Sequence, residues 1–471
     1  MSDICNASDY DPQGEPWAVV AARATLSASL NRFVAGARLR GNAQRGAAWY
    51  ASLGTTVGGS NIGGILGRGG SGAYSATFAS VARGLALARL GAAPPRGAGG
   101  PATWWGQLFE DVLAVVVGAD LGSAVVGDDI CIQAFAGHRT SPDGFIVARL
   151  LAPAAPGEPA RLWTTADAEP AVAARVLVLE FKCPVSRRPA AGEVPAEYAA
   201  QVQSGLLVSP LAAGGLFVDA VFRRAAAADL GPSPAYADDS QAARDAADGA
   251  EWLGRGAFAW GVAALVADNA AGIAAYHAAL AADPWADADV GAALPVDAGA
   301  VPRVVFDRLL GATAAGRLRA VPGGVEFADG RRAPAPVDAP AMWRAGGPLP
   351  AVVATVGWKL FQLEYVPVER EPGFARRALA ALADVHALAS RAAAAARAAG
   401  WPAPGTAGWI GARGNTGSGG APPAPVSTAA RAALEAVLVS EPRARSAAVP
   451  DFDMLESIGA RLTEFSRGNT I

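Results

Sequence analysis

Lysine is almost missing from this chain of 471 residues: among 39 basic side chains only Lys182 and Lys359 are lysines, the rest being Arg. A coding bias toward Arg, Ala, Gly and Pro accounts for the general scarcity, so each surviving Lys needs a reason of its own. Cysteine is scarce too. Cys5, Cys131 and Cys183 are odd in number and form no Cys-x-x-Cys pair, which argues against a disulfide framework and for a reducing compartment. Three widely spaced histidines, His138, His277 and His386, fit a zinc site poorly. Charge is sparse, at 17% of residues with a net of −3, so no global field attracts nucleic acid and any such contact must come from a local basic groove. The N-terminal MSDICNASDYDPQGEP lacks the basic and apolar regions of a secretory signal, and no apolar run reaches transmembrane length. The expectation is a protein neither secreted nor inserted in a membrane.

What is present is apolar. With 52% hydrophobic residues the chain can bury a large core, as one big domain with additions or as two. WAVVAARATLSASLNRFVAGARL reads as an amphipathic helix within an N-terminal extension, residues 1–48. LGTTVGGSNIGGILGRGGSG, from Leu53 to Gly72, is too rich in Gly to predict regular helix. WWGQLFEDVLAVVVGAD sets Trp105, Leu108, Phe109, Val112 and Val116 on one helical face. Three strand-like segments follow, SAVVGDDICIQAFA, DGFIVARLL and ARVLVLEFK, the last two as a long hairpin. A helix starting near Pro195 and the strand GGLFVDAVFRR complete an αβββαβ order over residues 49–224. Residues 225–350 turn Ala-, Asp- and Pro-rich, with helical spacing around AEWLGRGAFAWGVAALVADN and short strands around VPRVVF and GGVEFADGRR, and read as an insertion or subdomain. Residues 351–400 read as a strand and a long helix, and 401–471 as a linker and tail with one more helix.

In VLVLEFKCPVSRRP strand alternation puts Glu180 and Lys182 on one face and Leu179 and Phe181 on the other. A bare Glu-x-Lys is also what a surface ion pair at a strand end looks like. SPDG upstream is by itself a good turn, but its Asp143 would bring a second carboxylate to the same hairpin. Asp143, Glu180 and the Phe181 backbone carbonyl could hold one or two Mg²⁺ ions that polarise a phosphodiester, while Lys182 orients or helps deprotonate the attacking water. Arg cannot lose a proton and differs in shape, which would explain a Lys here.

SPDG, LEFKCP and YAAQVQSGLLV together resemble the PD-(D/E)xK nuclease superfamily, and within it the lambda exonuclease and YqaJ-type viral recombinase family, related to the herpesvirus alkaline nucleases. WWGQLFED is similar to that family's Trp-Gly-x-x-x-Glu helix, and GTTVGGSNIGGILG to its N-terminal Thr/Gly-rich segment. The resemblance runs from about Trp49 to Arg223, and GWKLFQLEYVPVERE resembles the end of the large-DNA-virus branch. It implies an α/β, restriction-endonuclease-like αβββαβ core with a central mixed sheet flanked by helices, plus an Ala-rich insertion and a C-terminal helix. It further implies Asp143, Glu180 and Glu110 as metal ligands beside the Phe181 carbonyl, Lys182 as the catalytic lysine, and Gln201, preceded by Tyr198, as the active-site glutamine. Ser60 aligns with a DNA-contacting Ser, and the Gly-rich segment also reads as a flexible turn, while no Gly-Lys-Ser/Thr follows to make a nucleotide loop.

The family's end-phosphate Arg has no counterpart between Trp49 and Gly54; Arg45, Arg68, Arg187 and Arg188 are the substitutes on offer. The implied activity is Mg²⁺-dependent (Mn²⁺ as an alternative) digestion of double-stranded DNA from the 5′ end in viral recombination, with a single-strand annealing protein as partner, no membrane, and a homo-trimer by resemblance. A viral source would place it in the host cytoplasm or nucleus. A structure-selective or nicking endonuclease, and a catalytically inactive DNA-binding scaffold, stand as alternatives.

Overall fold

A computed structural model of the chain describes residues 15–39, 52, 55–68, 77–92, 101–135, 137–155, 160–184, 189, 192–225, 233, 256–257, 259–266, 303–312, 318–321, 324–327, 332–334, 352–402 and 426–440. Its centre is a seven-stranded mixed sheet. β4 (Gly144–Leu151) and β6 (Ala173–Lys182) form the long antiparallel hairpin expected from sequence, edged by the short β5 (Arg161–Leu162). β7 (Gly214–Ala225) lies parallel to β6, and the long β13 (Val352–Val368) pairs antiparallel with β7. β8 (Ala259–Val266) and β9 (Arg303–Ala312) extend the sheet beyond β13.

β8 corrects the sequence reading, which placed helix over this stretch. Ala and Gly carry little helix information in so biased a chain, and pairing along β13 on one side and β9 on the other outweighs local propensity. Two strands drawn from residues 225–350 therefore belong to the large sheet, while β10 (Leu318–Val321), β11 (Gly324–Phe327) and β12 (Arg332–Pro334) make a small antiparallel sheet. The first strand-like segment also behaves differently. Val126 makes only an isolated bridge to Phe145, and β2 (Ile132–Phe135) and β3 (His138–Thr140) join β1 (Val57–Gly58) in a second three-stranded sheet.

Both faces of the central sheet are covered, which is why β4 is buried along its whole length. On one face lies α4 (Pro101–Asp120), whose Phe109, Val112, Leu113, Val116 and Val117 pack on Ile146, Leu179, Phe181, Val218 and Phe222. The Trp105 and Leu108 side chains, assigned to this face from sequence, lie outside the described residues. On the opposite face lie α1 (Trp17–Leu39) and α5 (Ala196–Val208), where Leu30, Val34, Val202 and Leu206 meet Phe145, Val147, Val178 and Phe217. Arg149, on β4, stacks 3.2 Å from the Trp163 ring centroid and lies 3.8 Å from Glu15, joining the approach to α1 to the sheet edge.

A second core is helical, formed by α2 (Gly59–Ile65), α3 (Phe78–Arg89), α6 (Phe374–Ala398) and α7 (Thr428–Ser440). α2 falls inside the Gly-rich segment for which no helix was expected. Its glycines serve close approach: a Cβ at Gly59 would sit 2.3 Å from Thr140 Oγ1, and one at Gly63 3.2 Å from Glu197 Cα, so only Gly lets α2 seat against β3 and α5. By length and composition α6 could cross a membrane, contrary to the sequence reading, but Ala378, Leu382, Val385, Ala389 and Ala392 are buried among α3 and α7 as in a core helix.

Candidate active site

Three separate stretches of chain converge at the end of β6. Asp143 precedes β4, and its position is held twice by β6: its N–H donates to the Leu179 carbonyl (3.3 Å) and its Oδ2 accepts from the Phe181 N–H (2.7 Å). Glu180 is 2% exposed, on the α5 face of β6. The Lys182 ammonium donates to the Glu180 carboxylate and, at 2.9 Å, to the Phe181 carbonyl. Glu110 comes from α4, next to the buried Phe109, half-buried and close enough to act electrostatically on Glu180 and Lys182.

The electrostatics are those of an acidic cluster short of positive charge. Burial, reinforced by the Asp143 carboxylate and by Glu110, pushes Glu180 up to about 8 against the pull of Lys182. Burial disfavours the Lys182 ammonium, yet Glu180, Asp143 and Glu110 together outweigh it and hold the group well above the usual lysine range. Burial and the Glu110 carboxylate raise the thiol of Cys183, which favours its protonated form beside the site.

As they stand, no three His, Cys, Asp or Glu side chains among the described residues form a group ready to hold a metal ion. The donor chemistry nevertheless fits a hard divalent cation: carboxylates of Asp143, Glu180 and Glu110 beside the Phe181 carbonyl, in surroundings where burial makes their charge costly. Asp143 is engaged by a backbone N–H, and the Lys182 ammonium lies on the two oxygens assigned to the metal.

The remaining expectations divide. Tyr198, assigned to DNA contact, is half-buried beside the site: its ring stacks on Phe217 (centroids 5.6 Å apart) and Lys182 Nζ lies 5.1 Å from its centre. Gln201 is half-buried on α5, one turn beyond Tyr198. The buried amide of that helix is Gln203, which donates to the Glu369 carbonyl (2.6 Å) and accepts from the Glu371 N–H (3.0 Å), tying α5 to the turn before α6. Arg68, offered for phosphate contact, makes a bidentate pair with Glu371, both contacts 2.7 Å. Arg45, Arg187 and Arg188 lie outside the described residues. Ser60 is exposed at the start of α2.

Sequence reasoning missed Arg139. It is buried on β3, opposite Gly58 in register, and a Cβ placed on Gly58 would lie 3.8 Å from both Arg139 Nη2 and Ser60 Oγ. The available signal was an Arg two residues before SPDG. Next to it His138 is fully buried; Nδ1–H donates to the Val57 carbonyl and Nε2 lies in hydrogen-bond contact with the Ser204 hydroxyl, each 3.0 Å. Burial depresses its pKa to about 4, opposed by the Val57 hydrogen bond and helped by Arg139. The folded value lies below the unfolded one, so this contribution to stability is complete above about pH 6.5 and is lost as pH falls toward 4. We expect urea melts at pH 7 and pH 4.5 to differ less in His138→Gln than in the wild type, by up to about 3 kcal/mol.

No family model matches the chain. It is similar to a protein of African swine fever virus whose name is a bare label that states no activity: 35% identical over 184 residues to that of a Pretoriuskop tick isolate, covering 38% of this chain and 50% of the relative. The protein of the same name from a Malawi tick isolate is 34% identical over 192 residues, covering 40% and 52%. The chain thus spans about half the length of the curated relatives it matches.

Proposed function

We propose that the chain is a metal-dependent nuclease of duplex DNA, built on a restriction-endonuclease-like core and digesting linear ends in the 5′-to-3′ direction. The observation that carries the reading is the convergence of Asp143, Glu180, Lys182 and Glu110, from a turn, a strand and a helix, at the end of β6. The similarity to a viral protein is consistent with a role in viral DNA recombination.

In this reading Asp143, Glu180, Glu110 and the Phe181 carbonyl would hold Mg²⁺, which when bound would polarise the scissile phosphate and stabilise the leaving oxygen. The Lys182 ammonium orients the attacking water and offsets the charge that develops on the phosphate. Tyr198, stacked on Phe217, offers its ring face to the Lys182 ammonium. The Ser60 hydroxyl and the buried Arg139 guanidinium flank Gly58, each 3.8 Å from where a Cβ there would sit, and together they supply the chemistry that holds a terminal phosphate.

Incubating the protein with linear and covalently closed circular duplexes, in Mg²⁺ or in EDTA, tests this. Loss of the linear form alone, in Mg²⁺ alone, is expected. Cutting of closed circles would replace exonuclease by endonuclease, and binding without cleavage of either would overturn the nuclease reading. Arg139→Ala is expected to reduce the preference for 5′-phosphorylated over 5′-hydroxyl linear duplex about tenfold, the worth of one charge-assisted hydrogen bond. An unchanged ratio in steady-state rates would confine Arg139 to the fold.

A further inference from the structure

Lys182 sits where a metal-dependent site can least use it. Its ammonium donates to the Glu180 carboxylate and to the Phe181 carbonyl, the two oxygens of β6 that would serve the cation. A divalent cation and the ammonium repel each other on those oxygens, which favours a second seat for the ammonium.

The neighbouring strand offers one. β7 runs parallel to β6 with Lys182 directly beside Asp219. Phe181 and Val218 point together into the α4 side, and therefore Lys182 and Asp219 share the opposite face with Glu180. Asp219 is 3% exposed, a carboxylate held out of water within the apolar run GGLFVDAVF. On its other side β13 places Glu364 in register, so two acidic residues stand opposite each other on neighbouring strands, an arrangement that favours a cation nearby. The four-carbon stem of a lysine spans the roughly 4.8 Å between adjacent strands.

We propose that Asp219 is the second seat of the Lys182 ammonium: a positioning residue that holds it off Glu180 and the Phe181 carbonyl when those oxygens serve a divalent cation, and leaves it aimed at the substrate water. The inference rests on the metal-dependent reading above. Arg223, further along the same strand and buried, is the other cation of this face, and a role of Asp219 confined to Arg223 would leave metal binding unmoved.

The test is Mn²⁺ binding, followed by electron paramagnetic resonance without DNA, in the full chain. Asp219→Asn should weaken Mn²⁺ binding about tenfold, because the ammonium stays on Glu180, and adding Lys182→Met should restore it to within about threefold of wild type. Unchanged affinity in Asp219→Asn overturns the proposal alone. Weakened affinity that Lys182→Met does not rescue assigns Asp219 to the fold and overturns it too. Absence of Mn²⁺ binding in the wild type overturns the metal reading and this inference with it. A second measurement needs no substitution: the chain has only two lysines, so ¹⁵N-lysine labelling gives one signal for Lys182 and one for Lys359. Mg²⁺ should shift the Lys182 Nζ resonance and leave Lys359, held by Ser233, in place; a stationary Lys182 signal overturns the proposal.

Discussion

Replacing Lys182 by methionine is expected to abolish cleavage of duplex DNA while leaving the chain folded. The ammonium is the only cation hydrogen-bonded to the Glu180 carboxylate among the described residues. Methionine keeps an unbranched apolar stem and removes the charge that lies 5.1 Å from the centre of the Tyr198 ring. Positioned groups of this kind supply about 10²- to 10⁴-fold in rate, and a loss of at least about 10³-fold is expected in single-turnover assays at saturating Mg²⁺. Breaking a buried ion pair normally costs about 3–5 kcal/mol, because one charge is stranded. Glu180 has an exit: with its pKa already near 8 it takes up a proton, so the variant should lose far less stability than that. Turnover close to wild type would sink the assignment of Lys182 and leave the surface-pair reading of Glu-x-Lys.

Phe222→Ala is expected to be the most destabilising single truncation in the central sheet. Phe222 is fully buried on β7, stacked on Phe109 (centroids 4.7 Å apart, planes 10° from parallel) and edge-on to Trp358 at 5.7 Å. Loss of the ring costs about 3–5 kcal/mol for transfer and cavity, and each aromatic pair adds roughly 0.5–1.5 kcal/mol. Against a typical total stability of about 5–15 kcal/mol this is a large share, and denaturant melts should show it as a lower midpoint with little change in slope. The same ring seats Phe109, the residue before Glu110, so the variant should also blunt the Mg²⁺ dependence of any activity that survives. Phe222→Leu, which refills most of the space, should cost less; equal loss in both would point to strain rather than a cavity.

These two residues show different kinds of legibility. Lys182 stood out from sequence because it resists a coding bias, and strand alternation sufficed to pair it with Glu180. Asp143 was legible from a turn that opens a strand, and Glu110 from its place on a helix with a periodic apolar face. Phe222 was one apolar residue among many. Its weight comes from where α4 lands on the sheet, which no local pattern specifies. Arg139 and Asp219 were passed over for a related reason: each lies within a short or apolar strand, and its neighbours across the sheet come from stretches far away in the chain. Local propensity also misled at Ala259–Val266 and Gly59–Ile65. Ala-rich composition hid a strand that pairing imposes, and Gly-rich composition hid a helix that close packing requires.

By itself, the sequence determined the chemistry on offer and the local elements that carry it. The hairpin of β4 and β6, the helix before it and the strand after it follow from the periodicity of side chains, since period 2 and period 3.6 are properties of the backbone alone. The tertiary structure decided which groups meet. It drew two strands from residues 225–350 into the central sheet, split the first strand-like segment into a separate small sheet, locked Arg68 onto Glu371, and set Asp219 beside Lys182. The physical reason is that contacts between distant segments depend on strand register and helix seating, which the whole core settles together rather than any one stretch of chain.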